Sequence, residues 1–322
     1  MPKVTVVMPC LNEENYIRRA LESLVDAWVL ANGEILIVDG GSTDGTVEAV
    51  EKLRKKGFPI RILQNQNRLT SFGLNLGIAE ARGEIIVRAD AHCLYPPGYA
   101  QKCVHLLEIK GTANAGGVFE PSGEGGAVQE AVALAMKHPV GVGDAKFRSH
   151  NYTGYAEGAF VGTYRRSLFD EVGRFDTKAT PNEDSEMNIR ILKAGQKIWL
   201  DSSIRVTYFP RKTLKKLSRQ YFKYGVGRAY TTLKHKKLTS WRQMGPPALV
   251  IGLIISLILG FLKPWFWLFP AAYIVSLGTV ALLTWPKKRI PLKIRLILAA
   301  AFATMHISWG SGFILGLVAR RS

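Results

Sequence analysis

Four short polar segments carry the side chains that can do chemistry in this chain. In RADAH (88–92), Asp90 and His92 stand two residues apart. Side chains alternate along extended backbone, so these two point the same way, and a carboxylate and an imidazole can meet on one divalent cation. Completed by phosphate oxygens, that donor set suits Mn2+ or Mg2+. The plainer alternative is an Asp capping the next turn beside a surface His. In TPNEDSE (180–186), Asp184 can act as a general base. Thr180 and Glu183 have capping-box spacing, and acidic residues suit a helix's first turn, which accounts structurally for Glu183 and Glu186. Nothing local decides between cleft and cap for Asp184.

The other two segments are PCLNEE (9–14) and DGGSTDG (39–45). Asn, Asp and Gly are what any tight strand-to-helix turn requires, so a purely structural role stands beside a binding one. Together, Pro9, Asn12, Glu13 and Asp39 offer polar atoms on neighbouring strand ends, where a nucleoside's base and ribose can be hydrogen-bonded. Neither loop has the GxGxxG spacing of a dinucleotide site.

These segments need a scaffold, and the pattern up to about residue 201 supplies one. Apolar, β-branched runs at 3–8, 34–38, 60–64 and 84–89 alternate with helical spacing at 12–29, 47–56 and 69–81. Alternation of this kind predicts an α/β domain with a mostly parallel sheet, whose ligands bind beyond the carboxyl ends of the strands. All four polar segments after strands or before helices then fall in reach of that edge.

The rest of the chain has another character. From residue 202 to the end there is no Asp or Glu but there are 20 Lys and Arg, whereas the whole chain carries a net charge of +18. Residues 211–242 form a basic stretch with aromatic residues interleaved and Leu214, Leu217 and Tyr221 at helical spacing, as expected of a helix on a membrane surface. Apolar segments follow at 247–262, 265–285 and 292–318; the last two reach the length of a membrane span and the first is marginal. Basic clusters at Lys287, Lys288, Arg289, Lys293 and Arg295 and at 211–242 fall on the cytosolic side by the positive-inside rule. Three full crossings then put Arg320 and Arg321 outside, a conflict that a break in the third segment near Gly310, Gly312 and Gly316 would remove. Without a zinc-finger, helix-turn-helix or aromatic RNA-binding pattern, the positive charge is assigned to the membrane and not to nucleic acid. Three unpaired cysteines, Cys10, Cys93 and Cys103, and a strand-like start without a signal peptide place the first 210 residues in the cytosol.

The ordered set of Pro9/Asn12/Glu13, Asp39, Asp90-x-His92, the GTYRR…GRFD segment (162–176) and Asn182-Glu183-Asp184 resembles the family 2 glycosyltransferases, over roughly residues 3–230. It is most similar to the succinoglycan-type exopolysaccharide glucosyltransferases. The resemblance implies a GT-A catalytic domain (1–210), a basic membrane-surface segment (211–245) and about three transmembrane helices (246–322). It implies inverting transfer of a sugar, with glucose favoured, from a UDP-sugar to a hydroxyl of a lipid-linked (polyprenyl-diphosphate) saccharide at the cell's inner membrane. Asn12, Glu13 and Asp39 would contact uracil and ribose, Asp90 and His92 would hold Mn2+ or Mg2+ against the diphosphate, and Asp184 would be the base. His92 departs from the commoner Asp. The family's (Gln/Arg)-x-x-Arg-Trp element corresponds to Gln220, Lys223 and Tyr224, with Lys for Arg and Tyr for Trp; these residues, Arg228 and Glu183 are candidate diphosphate or acceptor contacts. Residues 151–162 are expected in the acceptor pocket, Arg165 and Arg166 either on phosphate or on the surface, and helix 127–136 either in the core, the favoured place, or against lipid. Two other readings are a polyprenyl-phosphate glycosyltransferase and a non-catalytic, nucleotide-sensing component of a polysaccharide assembly complex.

Overall fold

Strand β1 (Val4–Cys10) and strand β2 (Gly33–Asp39) are almost wholly buried, as unbroken apolar runs must be when both sheet faces are covered. The computed structural model that shows this describes residues 2–143, 145–149, 151–236, 238, 240–284 and 290–319. The chain forms two compact units: Met1–Glu120 with Asp144–Tyr208, and Pro121–Gly143 with Phe209–Ser322. The first unit ends at Tyr208 and is interrupted, because 121–143 belongs with the C-terminal part.

In the first unit, helices α1 (Ile17–Leu24) and α2 (Ala27–Asn32) separate β1 from β2, followed by α3 (Thr46–Lys55), β3 (Ile60–Gln64), α4 (Thr70–Glu80), β4 (Ile85–Arg88), β5 (Cys93–Leu94), α5 (Tyr99–Ile109) and β6 (Asn114–Pro121). The single helix expected over 12–29 is thus two. Val25 is extended and the Asp26 carboxylate accepts from Val29 N at 2.9 Å, so a new N-cap restarts the helix. Strands β1, β2, β3 and β4 pair in parallel in the order β3-β2-β1-β4. Helix α4 lies flat on β1: a Cβ on Gly77 would sit 2.3 Å from Val7 Cγ1, a separation no real atom pair tolerates.

Helices α6 (Ala127–Lys137) and α7 (Pro139–Val142) follow in sequence but belong to the second unit. The first resumes with β7 (Gly154–Tyr155), β8 (Phe160–Arg165), α8 (Leu168–Glu171), α9 (Glu183–Lys193) and β9 (Ile198–Tyr208). These complete the sheet as β4-β8-β6-β9-β5, with β7 beside β9. The parallel expectation therefore holds for β1 to β4, whereas β4–β8, β6–β8, β5–β9 and β7–β9 are antiparallel. The core on the α4 side joins Val7, Leu36, Leu74, Ile86, Tyr164, Phe169, Phe175, Met187 and Ile191.

The second unit holds α10 (Leu214–His235), α11 (Gly245–Gly260), α12 (Leu268–Leu283) and α13 (Leu292–Ala319). Among the described residues, three segments are long and apolar enough to cross a membrane: Trp241–Gly260, Pro264–Leu283 and Leu292–Ala319. Helix α13 is continuous, so the break expected at Gly310, Gly312 and Gly316 is absent. Those glycines serve close approach instead. A Cβ on Gly312 would meet Phe222 O at 2.1 Å and one on Gly316 would meet Ala229 Cβ at 2.8 Å, while Ser218 and Ser308 hydroxyls lie 2.9 Å apart. Helix α10 therefore runs beside α13 in the same direction, burying Leu217, Tyr221 and Gly225 and leaving Lys215, Lys216, Arg219 and Lys223 exposed. Helix α6 packs on α13 too, through His138 at its end against Phe302, with ring centroids 5.5 Å apart. Arg295 donates to the carbonyls of Ala281, Leu282 and Thr284 and so caps the end of α12. Lys287, Lys288, Arg289, Arg320 and Arg321 lie outside the described residues.

Candidate active site

The carboxyl ends of β1, β2 and β4 bring the segments 9–14, 39–45 and 88–92 together. Asn12 takes a left-handed backbone (φ 56°), which Asn tolerates better than most residues. From there its Oδ1 accepts from Thr43 N at 2.8 Å, and its own N–H donates to Ser42 Oγ at 2.9 Å. Glu13 N donates to Thr46 Oγ1 at 2.7 Å, and Gly45 N donates to Glu14 Oε2 at 2.9 Å. Reciprocal bonds of this kind lock the loop after β1 to the loop after β2. Asp39 is buried, and its carboxylate accepts from Gly41 N, Ser42 N and Ser42 Oγ, so it shapes the turn from within. Pro9 is half-buried at the end of β1.

At the end of β4 the Asp90 backbone is bracketed by Tyr95, whose hydroxyl accepts from Asp90 N at 2.6 Å and donates to Asp90 O at 3.0 Å. His92 meets the β1 loop: its Nδ1 lies 3.1 Å from Glu13 Oε1. The ring of Tyr208 packs edge-on against the imidazole, with centroids 5.1 Å apart.

The segment 180–186 joins through a residue that sequence reasoning did not single out. The guanidinium of Arg88 is 3.3 Å from Asp90 Oδ1 and 3.7 Å from Glu183 Oε1, and its side chain is only 9% exposed. Burial alone would disfavour its charge, but the carboxylates of Asp90, Glu183 and Asp184 outweigh that and hold Arg88 above its ordinary value. Burial pushes the Glu183 carboxyl up, Arg88 pulls it down, and Asp184 and Asp90 push it up again. Arg88, Asp90, Glu183 and Asp184 thus form one electrostatic cluster. Asp184, half-exposed in the first turn of α9, accepts from Ser185 N at 2.6 Å.

Several expectations around this cluster are corrected. Thr180 and Glu183 make no capping box: Thr180 Oγ1 lies 2.5 Å from Ser71 Oγ, and α9 begins only at Glu183 behind Asn182. Glu186 is fully buried in a fork with Arg190, which also holds the carbonyls of Val172, Gly173 and Arg174. Arg165 and Arg166 are not in reach of the site. Strand β8 runs antiparallel to β4 and sets Arg165 opposite Ile85, at the end of β4 away from Arg88, and Arg166 donates to Ala81 O at 2.7 Å. Arg68 is a second residue the sequence reading passed over. Its left-handed backbone (φ 61°) packs on Gly40, and a Cβ on Gly41 would lie 3.7 Å from its Nη2, so a cation stands beside the Asp39 turn. Its signal was the Asn65–Asn67 turn that ends β3.

On α10 in the second unit, Gln220 Nε2 donates to Tyr224 Oη at 2.9 Å, Lys223 is exposed and Arg228 half-buried. In the first unit, Tyr155 of the 151–162 stretch packs edge-on against Trp199.

The donor set of the Asp90–His92 loop fits the divalent cation that the resemblance implies. Among the described residues, no three His, Cys, Asp or Glu side chains converge to enclose an ion by themselves. His92 lies in a turn and not on extended backbone, so Asp90 and His92 would each supply one donor to a site that substrate phosphate oxygens complete. The carboxylate on His92 Nδ1 is the partner that metal-binding imidazoles usually have.

A profile of Glycosyl transferase family 2 matches residues 5–173. The chain belongs to the family 2 glycosyltransferases. Succinoglycan biosynthesis protein ExoA of Rhizobium meliloti is 32% identical over 317 residues, covering 96% of this chain and 93% of ExoA. A Methanococcus voltae enzyme, dolichyl N-acetyl-α-D-glucosaminyl phosphate 3-β-D-2,3-diacetamido-2,3-dideoxy-β-D-glucuronosyltransferase, is 26% identical over 324 residues, 98% of this chain and 97% of its own. Among solved structures, the mannosyltransferase PcManGT from Pyrobaculum calidifontis in complex with GDP-Man and Mn2+ superposes with a TM-score of 0.60 at 19% identity, covering 99% of this chain and 88% of that one. At that identity the likeness concerns the fold, which is GT-A in this family 2 member.

Proposed function

We propose that this glycosyltransferase moves a sugar from a UDP-sugar to a hydroxyl of a lipid-linked saccharide, with inversion at the anomeric carbon. The observation that carries this reading is the Arg88 cluster, because it joins the Asp90–His92 loop to the start of α9 and so to Asp184. Pro9, Asn12 and Asp39 line the nucleotide end, and Asp90 and His92 would hold the divalent cation.

A cation there would neutralise the diphosphate as it departs. Asp184 takes the proton of the acceptor hydroxyl, a contribution of about 10²–10⁴-fold. In-line attack from the face opposite the diphosphate inverts the centre, so an α-linked donor gives a β-linked product. Arg88 keeps Glu183 and Asp90 in place while charge builds beside them.

Three apolar helices and the names of two full-length relatives support a lipid-linked saccharide as acceptor: one relative works in succinoglycan biosynthesis, the other on a dolichyl-phosphate-linked sugar. Glucose as the sugar rests on the succinoglycan-type resemblance. Under this reading the first unit faces the cytosol at the inner membrane. The test is calorimetric binding of UDP and GDP to the purified full-length protein, with Mn2+ and then with EDTA. Metal-dependent UDP binding is expected, and Asp184→Asn should keep it while abolishing transfer. A preference for GDP, or turnover by Asp184→Asn, would overturn the reading.

A further inference from the structure

We infer that Glu13 is a positioning residue for the metal ligand His92, an inference that rests on the metal-dependent reading above. Glu13 is the residue after the left-handed Asn12, and its backbone is fixed by the bond to Thr46 Oγ1. Its carboxylate arrives at His92 Nδ1 with a separation of 3.1 Å, in a spot where the two side chains are 17% and 22% exposed.

A carboxylate only accepts hydrogen bonds, so the nitrogen facing it carries the proton. The neutral imidazole is then the Nδ1–H tautomer, and the lone pair is on Nε2. Tyr208 packs edge-on against the ring, so the imidazole has an apolar neighbour as well as the carboxylate. Glu13 thereby selects which nitrogen is free to bind a cation. The DxH triplet alone does not fix this, since an untethered His can present either nitrogen. The same loop bonds that tie the β1 and β2 turns together deliver Glu13 to its place, so nucleotide end and metal end share one support.

The alternative role for Glu13 is a direct hydrogen bond to the base or ribose of the donor, and the two roles separate in one experiment. Mn2+ affinity is read from the EPR signal of free Mn2+, on full-length protein saturated with UDP, for the wild type, Glu13→Gln, His92→Ala and the double variant. UDP affinity in EDTA is measured alongside. The positioning role predicts that Glu13→Gln weakens Mn2+ binding on the order of 10-fold to 100-fold. It predicts little change in UDP affinity in EDTA and no further Mn2+ loss when Glu13→Gln is added to His92→Ala. Unchanged Mn2+ affinity with weaker UDP binding in EDTA would overturn it, as would an additive loss in the double variant, which would make Glu13 a ligand in its own right. A wild-type protein that binds no Mn2+ with UDP present would instead remove the metal-dependent reading beneath it.

Discussion

Arg88, at the end of β4, reaches Glu183, the first residue of α9, at 3.7 Å, and both side chains are buried. Removing one partner of such a pair strands the other charge, which costs about 3–5 kcal/mol. Arg88→Met is therefore expected to lower unfolding stability by that order, and the Arg88→Met/Glu183→Gln double variant by less than the two single losses combined. Denaturant titration of the four proteins in detergent measures the coupling. Additive losses would mean that the two groups do not sense each other.

A pH dependence follows from the same carboxyl. Burial raises Glu183 from its ordinary 4.5 to about 7, with Arg88 opposing and Asp184 reinforcing the rise. Below 4.5 folded and unfolded chains both hold the proton. Between 4.5 and about 7 only the folded chain holds it, so stability falls as pH rises through that window. The loss is on the order of 1 kcal/mol per pH unit. Glu183→Gln lacks this slope, so the variant's Tm should rise relative to the wild type's from pH 5 to pH 7.5. A constant difference would place the Glu183 carboxyl at its ordinary value.

Cysteine chemistry offers a quick check on the sheet. Cys10, Cys93 and Cys103 are free and buried, and burial pushes each thiol above its usual range. The thiolate is the reactive form, so none of the three should react with a maleimide until the protein unfolds. Labelling counted by mass spectrometry, with and without denaturant, decides it. Fast labelling of Cys10 in the native protein would show that the end of β1 is open to solvent.

The α10–α13 pairing can be tested by adding one carbon. Gly312→Ala puts a methyl 2.1 Å from Phe222 O, and backbone cannot rotate away as a side chain can. A cost of about 1–3 kcal/mol is expected. Gly278→Ala on α12, with nothing within 4 Å, should be close to neutral. Thermal unfolding in detergent compares the two. Equal stabilities would mean that α10 does not pack on α13 in this way.

Much of the first half of the fold is legible in the sequence because its strands are buried on both faces. Residues 35–38 and 85–87 declare themselves by apolar character alone, and the four polar segments fall at strand or helix ends. What sequence reasoning missed depends on pairing. Strand β9 runs through Asp201, Ser202 and Ser203, and β5 and β7 have two residues each, too few for any period to show. The direction of β8 fixes which end of the sheet Arg165 and Arg166 occupy, and direction is not a local property. Arg88 read as one more strand residue because its partner Glu183 is far along the chain. Thr180 lost its capping role to Ser71, a competitor that no window around residue 180 contains.

The membership of 121–143 in the second unit has a consequence for how the protein is made. His138 finds Phe302 only after roughly 160 further residues have been synthesised, which at ribosomal speed takes on the order of ten seconds or more. During that interval α6 has left the ribosome with its apolar face uncovered, while β1 to β4 already have what they need to pair. Shortening the chain at residue 208 would make that exposure permanent: the apolar α6, with Gln129 cut off from Pro210 O, would have no α13 to lie on. A water-soluble catalytic fragment therefore calls for two cuts, one after β9 and one that replaces 121–143 with a short polar link.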